Sequence, residues 1–196
     1  MMARTGKEVR TTSETDVLVE FGLDGEGRGE IETTIPFLDH MLNLLARHGF
    51  FDLTVRGKGD TDVDYHHLIE DIGICMGEAI KKALGDKKGI RRYGSVLVPM
   101  DECLCQVSMD LSGRPCLIFN ADFGNEKIRD LDPILFREFF KSLSDHGGIT
   151  LHINVLYGTS SHHIVESIFK AFARSLDKAT SLDVRITGVM STKGSL

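Results

Sequence analysis

The amino-acid sequence predicts an α+β fold made of two copies of one ββαβα-type unit, each with its helices on one face of a mixed sheet. A repeated series of polar residues is the first observation behind this prediction. The series reads His40, His48, His66, His67 and Glu70 in the first half, and Glu138, His146, His162, His163 and Glu166 in the second. Glycines and a basic run interrupt the pattern in residues 87–95, so we expect one domain, 1–196, with halves of about 1–92 and 93–196.

The order of hydrophobic patterns in the first half is the second observation. Residues 15–25 and 28–35 alternate in hydrophobicity around glycine-rich turn residues, which predicts a β-hairpin. Residues 36–49 carry apolar side chains at helical spacing, with a proline at the start and a glycine at the end. Residues 50–59 alternate as a strand, and the helix that follows is expected to end at Gly85.

The second half repeats this order of elements. Strands are predicted at residues 103–111, 115–122 and 149–158, and helices at 131–147 and 161–180. In addition, Glu14 precedes Leu23 by the same interval as Glu102 precedes Leu111. The two halves therefore indicate an internal duplication.

Composition and charge exclude several classes of protein. With 41% hydrophobic residues in 196, the chain can bury a core without disulfides. We interpret Cys75, Cys103, Cys105 and Cys116 as reduced, buried residues, because they lack CxxC pairing. A formal net charge of -6 argues against a nucleic-acid surface. The start of the chain lacks the apolar region of a signal peptide, and no stretch approaches the ~20 apolar residues of a membrane span, so we expect no membrane contact and a cytoplasmic location.

Two HHxxE blocks, each near the start of a predicted helix, indicate metal binding. On a helix, residues three and four apart share a face, whereas neighbours diverge by about 100°. Glu70 therefore lies beside both His66 and His67, whose rings point apart. We expect each histidine pair to serve two different metal ions, with the duplication supplying the opposing ligands.

Other motifs limit the kind of site. Taken singly, His48, His146 or His152 would be interpreted as an ordinary surface or core histidine. Imidazole and carboxylate groups without thiolate favour Mn, Fe, Co or Zn in an open site. The HExxH motif of zinc proteases is absent from the sequence. We interpret the aspartates of GDTDVD, residues 59–64, as a solvated loop, and GLDGEGRG, residues 22–29, as a hairpin turn.

The motifs FLDHML, HHLIEDIG, SGRP, HHIVESIFKAF and STKG occur in this order along nearly the whole chain. Together they make the sequence resemble the imidazoleglycerol-phosphate dehydratase family of histidine biosynthesis. The resemblance implies a duplicated fold similar to domain 2 of ribosomal protein S5, and a single catalytic domain with no fused phosphatase. It also implies a homo-oligomeric shell of twenty-four subunits, with two manganese ions per site between subunits and no organic cofactor.

Eight positions match the metal ligands of that family. They are His40, His66, His67, Glu70, Glu138, His162, His163 and Glu166. In the division that the resemblance implies, one metal takes His66, Glu138, His162 and Glu166, and the other takes His40, His67, Glu70 and His163.

Two positions depart from residues that are common in the family. Glu138 stands where many relatives have histidine, and because a carboxylate also binds manganese, we expect one metal site to be less suited to zinc. Leu44 stands where some relatives have a glutamine in the substrate pocket, which removes one polar contact.

The reaction that the resemblance implies converts D-erythro-imidazole glycerol phosphate to imidazole acetol phosphate and water. No carbonyl group activates the proton that is lost. An imidazolate held between two metals can instead expel the hydroxyl next to the ring and give a diazafulvene-like intermediate. The resemblance makes Glu14 the proton-transferring carboxylate and His48 an assisting residue. Glu14 by itself would be interpreted as an exposed strand residue, and its repeat counterpart Glu102 is an equal candidate by spacing.

The phosphate of such a substrate requires cationic and hydroxyl donors. Arginine suits phosphate oxygens through its two-pronged guanidinium, and lysine adds a point charge. The positions that match the family's anion site are Arg92, Arg114, Lys170, Ser191 and Lys193.

Two other functions stay open when only the residues are considered. A dinuclear metallohydrolase would attack a phosphate ester and release inorganic phosphate. A non-catalytic protein would use the histidine clusters only to hold a metal-dependent oligomer together, and it would be indifferent to Glu14→Gln.

Overall fold

The computed structural model describes residues 3–124 and 126–196, and it places twelve regular elements in them. The strands are β1 (Thr5–Thr11), β2 (Thr15–Gly22), β3 (Gly29–Glu32), β4 (Asp52–Gly59), β5 (Tyr93–Met100), β6 (Cys103–Asp110), β7 (Cys116–Asn120) and β8 (Thr150–Tyr157). The helices are α1 (Pro36–Gly49), α2 (His66–Leu84), α3 (Leu135–Gly147) and α4 (Ser161–Thr180). Both halves therefore run in the order βββαβα.

The strands form two four-stranded mixed sheets, one from each half of the chain. Sheet 1 has the strand order β1-β2-β4-β3, and sheet 2 has the order β5-β6-β8-β7. In both sheets the last two strands are parallel and the other neighbours are antiparallel. The α+β class and the duplication are confirmed, because the two halves have the same order of elements and the same sheet topology.

Two details of the predicted unit are wrong. The ββαβα pattern omits β1 and β5, since the exposed residues of β1 are mostly polar and β5 begins inside the glycine-rich boundary segment. The hairpin predicted for residues 15–35 does not form, because β2 pairs with β1 and β4. β3 instead lies beside β4 as a parallel strand. The glycine-rich segment before β3 thus crosses the start of β4, where the backbone N–H groups of Glu26 and Arg28 donate to Asp52.

The helices pack on one face of each sheet and against the helices of the other half. α2 lies on β1 and β2, and α4 lies on β5 and β6, so each sheet buries its inner face. Between the halves, α2 packs on α3 and α1 packs on α4. The helices therefore form a layer between the two sheets, and the hydrophobic core runs through both halves.

The predicted helix ends agree with the structure except for the start of α3, which begins at Leu135 and not at residue 131, because Leu131 pairs with Ile128 and a turn follows it. Pro36 begins α1, where the missing N–H of proline costs nothing, and Phe50 follows its last residue in the left-handed conformation (φ 57°). α2 ends at Leu84, and Gly85 caps it with a positive φ of 54°. These ends place the histidine pairs at the N-terminal turns of α2 and α4.

Close packing of α2 on α3 requires two glycines. A Cβ added to Gly73 would lie 2.5 Å from the carbonyl oxygen of Phe139, and one added to Gly77 would lie 2.7 Å from that of Leu143. The repeat position of Gly73 is Phe169 in α4, which packs its ring against Phe136, Phe139 and Phe140. The two repeats thus fill equivalent positions with residues of opposite size.

The cysteines are free, as predicted, but only three of them are buried. Cys116 is exposed, so its predicted burial is wrong. It begins β7, where alternate residues point outward from the sheet edge. Burial raises the pKa of Cys75 and Cys105 to about 12, which makes these thiols poor nucleophiles. Among the described residues, no helix has the length and apolar composition needed to cross a membrane.

Replacing Gly77 by alanine is expected to lower the thermal midpoint of unfolding, although alanine is the better helix former. The new Cβ meets backbone atoms of α3, which cannot rotate away, so the overpacking cost of about 1–3 kcal/mol exceeds the gain of roughly 1 kcal/mol in helix propensity. Differential scanning calorimetry measures the midpoint. Gly188→Ala is the control, because no atom lies within 4 Å of the position of its Cβ. Equal midpoints for the two variants would contradict the close packing.

Candidate functional site

Three of the predicted metal ligands lie together where α1 packs on α4. We call His40, His162 and Glu166 the α1–α4 cluster; one ligand atom of each falls within 4.8 Å of the other two. The Nε2 atoms of His162 and His40 lie 3.3 Å and 4.0 Å from Oε2 of Glu166. Both imidazoles are exposed and Glu166 is buried. The cluster therefore offers one carboxylate at its base and two rings at its rim.

The Glu166 carboxylate is kept ionised by its neighbours. Lys170, one helical turn further along α4, places its Nζ 2.6 Å from the other carboxylate oxygen. Burial raises the pKa of Glu166, but the hydrogen bond and charge of Lys170, with the nearby His162 and His40, outweigh it and hold the pKa below its ordinary value. An anionic carboxylate is the form that a metal ion requires.

The adjacent histidines diverge as helix geometry predicts. The rings of His66 and His67 have centroids 6.1 Å apart and planes at 83°, and those of His162 and His163 are 6.0 Å apart at 80°. His162 joins the α1–α4 cluster, whereas His163 faces the turn between β5 and β6. Each pair therefore points into two different environments.

His67 faces a second group of acidic residues. Its Nδ1 lies 3.0 Å from Oδ2 of Asp60 and 3.8 Å from Oε2 of Glu14, and the three residues offer ligand atoms within 4.8 Å of one another. The hydrogen bond to Asp60, with the charge of Glu14, raises the pKa of His67. Asp60 and Asp64 belong to the segment interpreted as a solvated loop; the segment is a loop and Asp64 is exposed, but both aspartates also contact the start of α2. Asp64 accepts a 2.7 Å hydrogen bond from the backbone N–H of His66.

His163 has the corresponding arrangement in the second half. Its Nδ1 lies 2.7 Å from Oε2 of Glu102, whose other oxygen accepts hydrogen bonds from the backbone N–H groups of Thr159 and Ser160. The hydrogen bond from His163 and those from the backbone lower the pKa of Glu102 to about 2, and the same contact raises the pKa of His163. The carboxylate of Glu102 therefore binds groups at the start of α4.

The structure distinguishes Glu14 from its repeat counterpart Glu102. Among the residues described, the Glu14 carboxylate has no hydrogen-bond donor, and its nearest ion-pair partner is His67. Its backbone is nevertheless fixed, because Thr12 Oγ1 accepts the N–H groups of Glu14 and Thr15 at 3.1 Å and 3.0 Å. The two glutamates are equivalent by spacing alone. Their contacts distinguish them, because the carboxylate of Glu14 is free and that of Glu102 is bound.

A buried carboxylate that the sequence analysis missed supports the Glu14 turn. Asp71 on α2 accepts hydrogen bonds from the hydroxyl of Thr15 and, at 2.8 Å, from Nε of Arg10. The repeat positions of Thr15 and Asp71 are Cys103 and Ser167, a neutral pair 3.2 Å apart. At this pair of positions, therefore, only the first half joins its turn to the helix through a charged residue. The signal that could have found Asp71 is an aspartate on the apolar face of a helix.

The remaining ligand candidates line the other helix contact. His66 Nε2 lies 3.7 Å from Glu70 Oε2 on α2, and Glu70 is 3.5 Å from the hydroxyl of Ser142 on α3. Glu138, at the repeat position of His40, turns its carboxylate to Arg137 at 2.9 Å. The division implied by the resemblance placed His40 with His67, Glu70 and His163. Within one chain, His40 instead lies with His162 and Glu166.

The other predicted pocket residues on α1 face α4. His48 is half-buried; burial and then the charges of Lys170 and Arg174 lower its pKa, so its neutral form is favoured. Leu44 lies one turn earlier and packs against the core. α1 thus presents one imidazole to the α1–α4 cluster and another further along the same contact.

Four of the five predicted phosphate ligands line one pocket near the end of the chain. The pocket is lined by Arg92, Arg114, Ser191, Thr192, Lys193, Ser195 and Leu196. Arg92 is buried and donates to both oxygens of Asp110, at 2.6 Å and 2.9 Å, and to the carbonyl of Met190 at 2.6 Å. Lys170 is absent from this lining and pairs with Glu166 instead. Arg92 thus also anchors the chain end, whereas Arg114 is mostly exposed.

The donor set fits divalent metal ions. The α1–α4 cluster combines two imidazole nitrogens with one carboxylate oxygen and no thiolate, which suits manganese, iron, cobalt or zinc in an open site. The fold and the site together define a duplicated α+β protein with a nitrogen and oxygen donor site between its repeats.

Comparison with known proteins identifies the family. Residues 33–176 match the family model described as imidazoleglycerol-phosphate dehydratase. A protein of that name from Syntrophus aciditrophicus is 56% identical over 197 residues, with all of both chains covered. The crystal structure of imidazoleglycerol-phosphate dehydratase from Staphylococcus aureus superposes with a TM-score of 0.82 at 37% identity, covering 91% of this chain and 99% of that one. A structure of IGPD from Pyrococcus furiosus gives 0.84 at 36% identity, covering 96% and 100%. The chain belongs to the imidazoleglycerol-phosphate dehydratase family and is a hydro-lyase.

Replacing Arg92 by methionine is expected to lower the thermal midpoint and to expose residues 183–196 to proteases. Asp110 would lose both hydrogen bonds from the guanidinium, and the carbonyl of Met190 would lose its donor. We expect the free energy of unfolding to fall by about 1–3 kcal/mol. Calorimetry and limited proteolysis followed by mass spectrometry measure the two effects. Arg114→Met removes an equal charge from the same pocket, yet should leave both unchanged because its guanidinium is mostly exposed. Similar behaviour of the two variants would refute the anchoring role of Arg92.

Proposed function

We propose that this enzyme removes water from imidazole glycerol phosphate and forms imidazole acetol phosphate, a step of histidine biosynthesis. The observation that carries the proposal is the α1–α4 cluster, formed between the two repeats of a chain in the imidazoleglycerol-phosphate dehydratase family. We propose two divalent metal ions, Mn²⁺, as cofactors and no organic cofactor. The cytoplasmic location stays a prediction.

The repeat relation suggests how the metal ligands divide. His40, His162 and Glu166 hold one ion, and their repeat counterparts Glu138, His66 and Glu70 hold the other. Three protein ligands would leave room at each ion for the substrate and for a further residue. His67 and His163 suit that further place, because each has its Nδ1 held within its own chain; Nε2 of His163 also lies 3.7 Å from the exposed Asp101.

The outer face of sheet 2 supports a homo-oligomer. The strands of sheet 2 contain one charged residue, Asp110. Seven exposed charged residues lie on the outer face of sheet 1. The seven are Lys7, Asp16, Glu20, Glu30, Glu32, Arg56 and Lys58. Leu97, Ile118 and Leu156 are exposed on the face of sheet 2. The two sheets are related by the duplication, so the difference between their outer faces arose afterwards. We infer that a second copy of the chain covers the outer face of sheet 2, whereas the outer face of sheet 1 is exposed to water.

The residues of the chain suit the proton transfers of a dehydration. Bound metal ions would act as Lewis acids and hold the imidazole of the substrate in place. The hydroxyl on the carbon next to the ring takes up a proton and leaves as water, and the proton on the neighbouring carbon is removed. The resulting enol becomes the ketone when its O–H proton is lost and a proton is added to the carbon next to the ring. Glu14 accepts the proton from the neighbouring carbon, since its carboxylate is free while its backbone is fixed. His48, held neutral, can assist.

The phosphate end of the substrate requires a positive pocket. Arg114, Lys193 and the hydroxyl of Ser191 are suited to bind phosphate oxygens, whereas Arg92 is buried and held at short distance by Asp110, which Arg114 approaches only to 3.7 Å. Lys170 lies beside the α1–α4 cluster and would act nearer the ring. The anion site therefore comes mainly from the second half of the chain.

The decisive experiment assays the protein purified with Mn²⁺ for keto product, released phosphate and bound metal. We expect about two metals per subunit, keto product and no released phosphate. Glu14→Gln is expected to lower kcat by about 10²–10⁴-fold without losing metal, because the proton acceptor is gone and the ligands remain. Glu20→Gln is the control, because Glu20 is an exposed glutamate on β2, the strand that follows Glu14, and pairs with Lys7.

Each alternative function gives a different result in these assays. Released phosphate without keto product would indicate a metallohydrolase and overturn the dehydratase proposal. Bound metal with neither product would leave the structural oligomer. Full activity of Glu14→Gln would remove Glu14 from the reaction while leaving the dehydratase in place.

Leu97→Lys is expected to reduce the size of the assembly, because it buries a charge in the proposed contact between copies. The matched control is Val9→Lys, since Val9 occupies the repeat position on sheet 1 and is as exposed as Leu97, at 53% against 52%. Analytical ultracentrifugation or light scattering gives the subunit number. Assembly that is unchanged by Leu97→Lys, or equally reduced by both variants, would contradict an interface on sheet 2.

A further inference from the structure

His67 and His163 are each held by a carboxylate on Nδ1, but the two carboxylates come from different places in the repeat. Glu102, in the turn between β5 and β6, holds His163 at 2.7 Å. Asp60, just after β4, holds His67 at 3.0 Å. The repeat counterpart of Glu102 is Glu14, not Asp60, and Glu14 stands 3.8 Å from the same nitrogen of His67. The same contact is therefore made by residues that the duplication does not relate.

The repeat position of Asp60 explains why the second half uses Glu102. That position is Gly158, where a Cβ would lie 2.9 Å from Sγ of Cys103 and 3.0 Å from Cγ1 of Ile164. A carboxylate does not fit there without displacing buried atoms. His163 consequently depends on the glutamate of the facing turn.

Asp60 is held firmly opposite Glu14. Its backbone N–H donates to the Glu14 carbonyl at 3.1 Å, which extends the pairing of β2 with β4 by one step. The two carboxylates thus approach one imidazole from neighbouring strands, and a single Nδ1–H can bond only one of them well.

We propose that Asp60 is a positioning residue that replaces Glu14 as the partner of His67 and so leaves the Glu14 carboxylate free for proton transfer. By accepting the hydrogen on Nδ1, Asp60 fixes the orientation of the ring and leaves Nε2 as the nitrogen that can bind a metal ion. Glu102 holds Nδ1 of His163 in the same way. The first part of this inference rests on the proposed dehydration; the effect on metal binding does not.

Asp60→Ala is the main test, with Mn²⁺ binding to the whole protein followed by electron paramagnetic resonance of the free ion. The apparent Kd for Mn²⁺ is expected to rise about 10–100-fold, with the number of bound ions restored at saturation. Asp60→Asn keeps a carbonyl acceptor and should lose less affinity. The control is Asp62→Ala, an exposed aspartate of the same segment, which should bind Mn²⁺ as the wild type does.

The value of kcat at saturating Mn²⁺ tests whether Asp60 keeps the Glu14 carboxylate free. In Asp60→Ala the Glu14 carboxylate is drawn towards the vacated Nδ1, where it replaces Asp60 only in part, so the affinity for Mn²⁺ falls and kcat stays low while KM changes little. Adding Glu14→Gln to Asp60→Ala should then lower kcat no further than Glu14→Gln alone. Glu102→Ala leaves Glu14 in its place, so its kcat should recover as Mn²⁺ saturates.

The outcomes separate this inference from the proposed function. Wild-type Mn²⁺ affinity in Asp60→Ala and Asp60→Asn, or an equal loss in Asp62→Ala, would overturn the positioning role. Permanent loss of one bound ion in Asp60→Ala, even at saturation, would make Asp60 a direct ligand and also overturn it. Weakened Mn²⁺ binding in a protein whose wild type forms no keto product would support the positioning of His67 and overturn the reaction alone.

Discussion

The packing of each half's helices against those of the other half is the constraint on which the site depends. α1 on α4 brings His40 to His162 and Glu166, which lie in the other half of the chain. α2 packs on α3 in the same way, and there the backbones approach so closely that Gly73 and Gly77 have no room for a side chain. Neither half could form the α1–α4 cluster alone, because its ligands come from both repeats. Folding of the whole chain is therefore the step that assembles the ligands.

Much of this arrangement was predictable from spacing. The repeated series of histidines and glutamates identified the duplication, and helix geometry correctly made the paired imidazoles diverge. The edge strands were missed because the exposed residues of β1 are mostly polar and β5 lies in a glycine-rich segment. The hairpin failed since local alternation cannot say which strand will be the neighbour. Asp60 escaped notice for a similar reason: an aspartate in a polar segment shows its role only when His67 is seen beside it.

The duplication also explains which residues could not be ranked from sequence. Glu14 and Glu102 have equal spacing, yet one carboxylate is free and the other holds two backbone N–H groups and His163. The difference comes from neighbouring residues: the first half has Asp60 and Asp71 at the positions where the second half has Gly158 and Ser167. Repeats that keep their metal-ligand positions can thus acquire separate tasks through changes in the residues that hold those positions. A carboxylate becomes available for chemistry when another takes over its structural contact.

Two equivalent metal positions cannot by themselves orient a substrate that has a ring at one end and a phosphate at the other. Direction has to come from residues in which the repeats differ. Lys170 and Arg174 on α4 correspond to Ile74 and Glu78 on α2, and Arg114 corresponds to Glu26. At these three pairs of positions the second half has a cation and the first half has a neutral or acidic residue. A dianionic phosphate would be attracted at one helix contact and repelled at the other, so the charge difference between the repeats selects a single orientation for the proposed substrate.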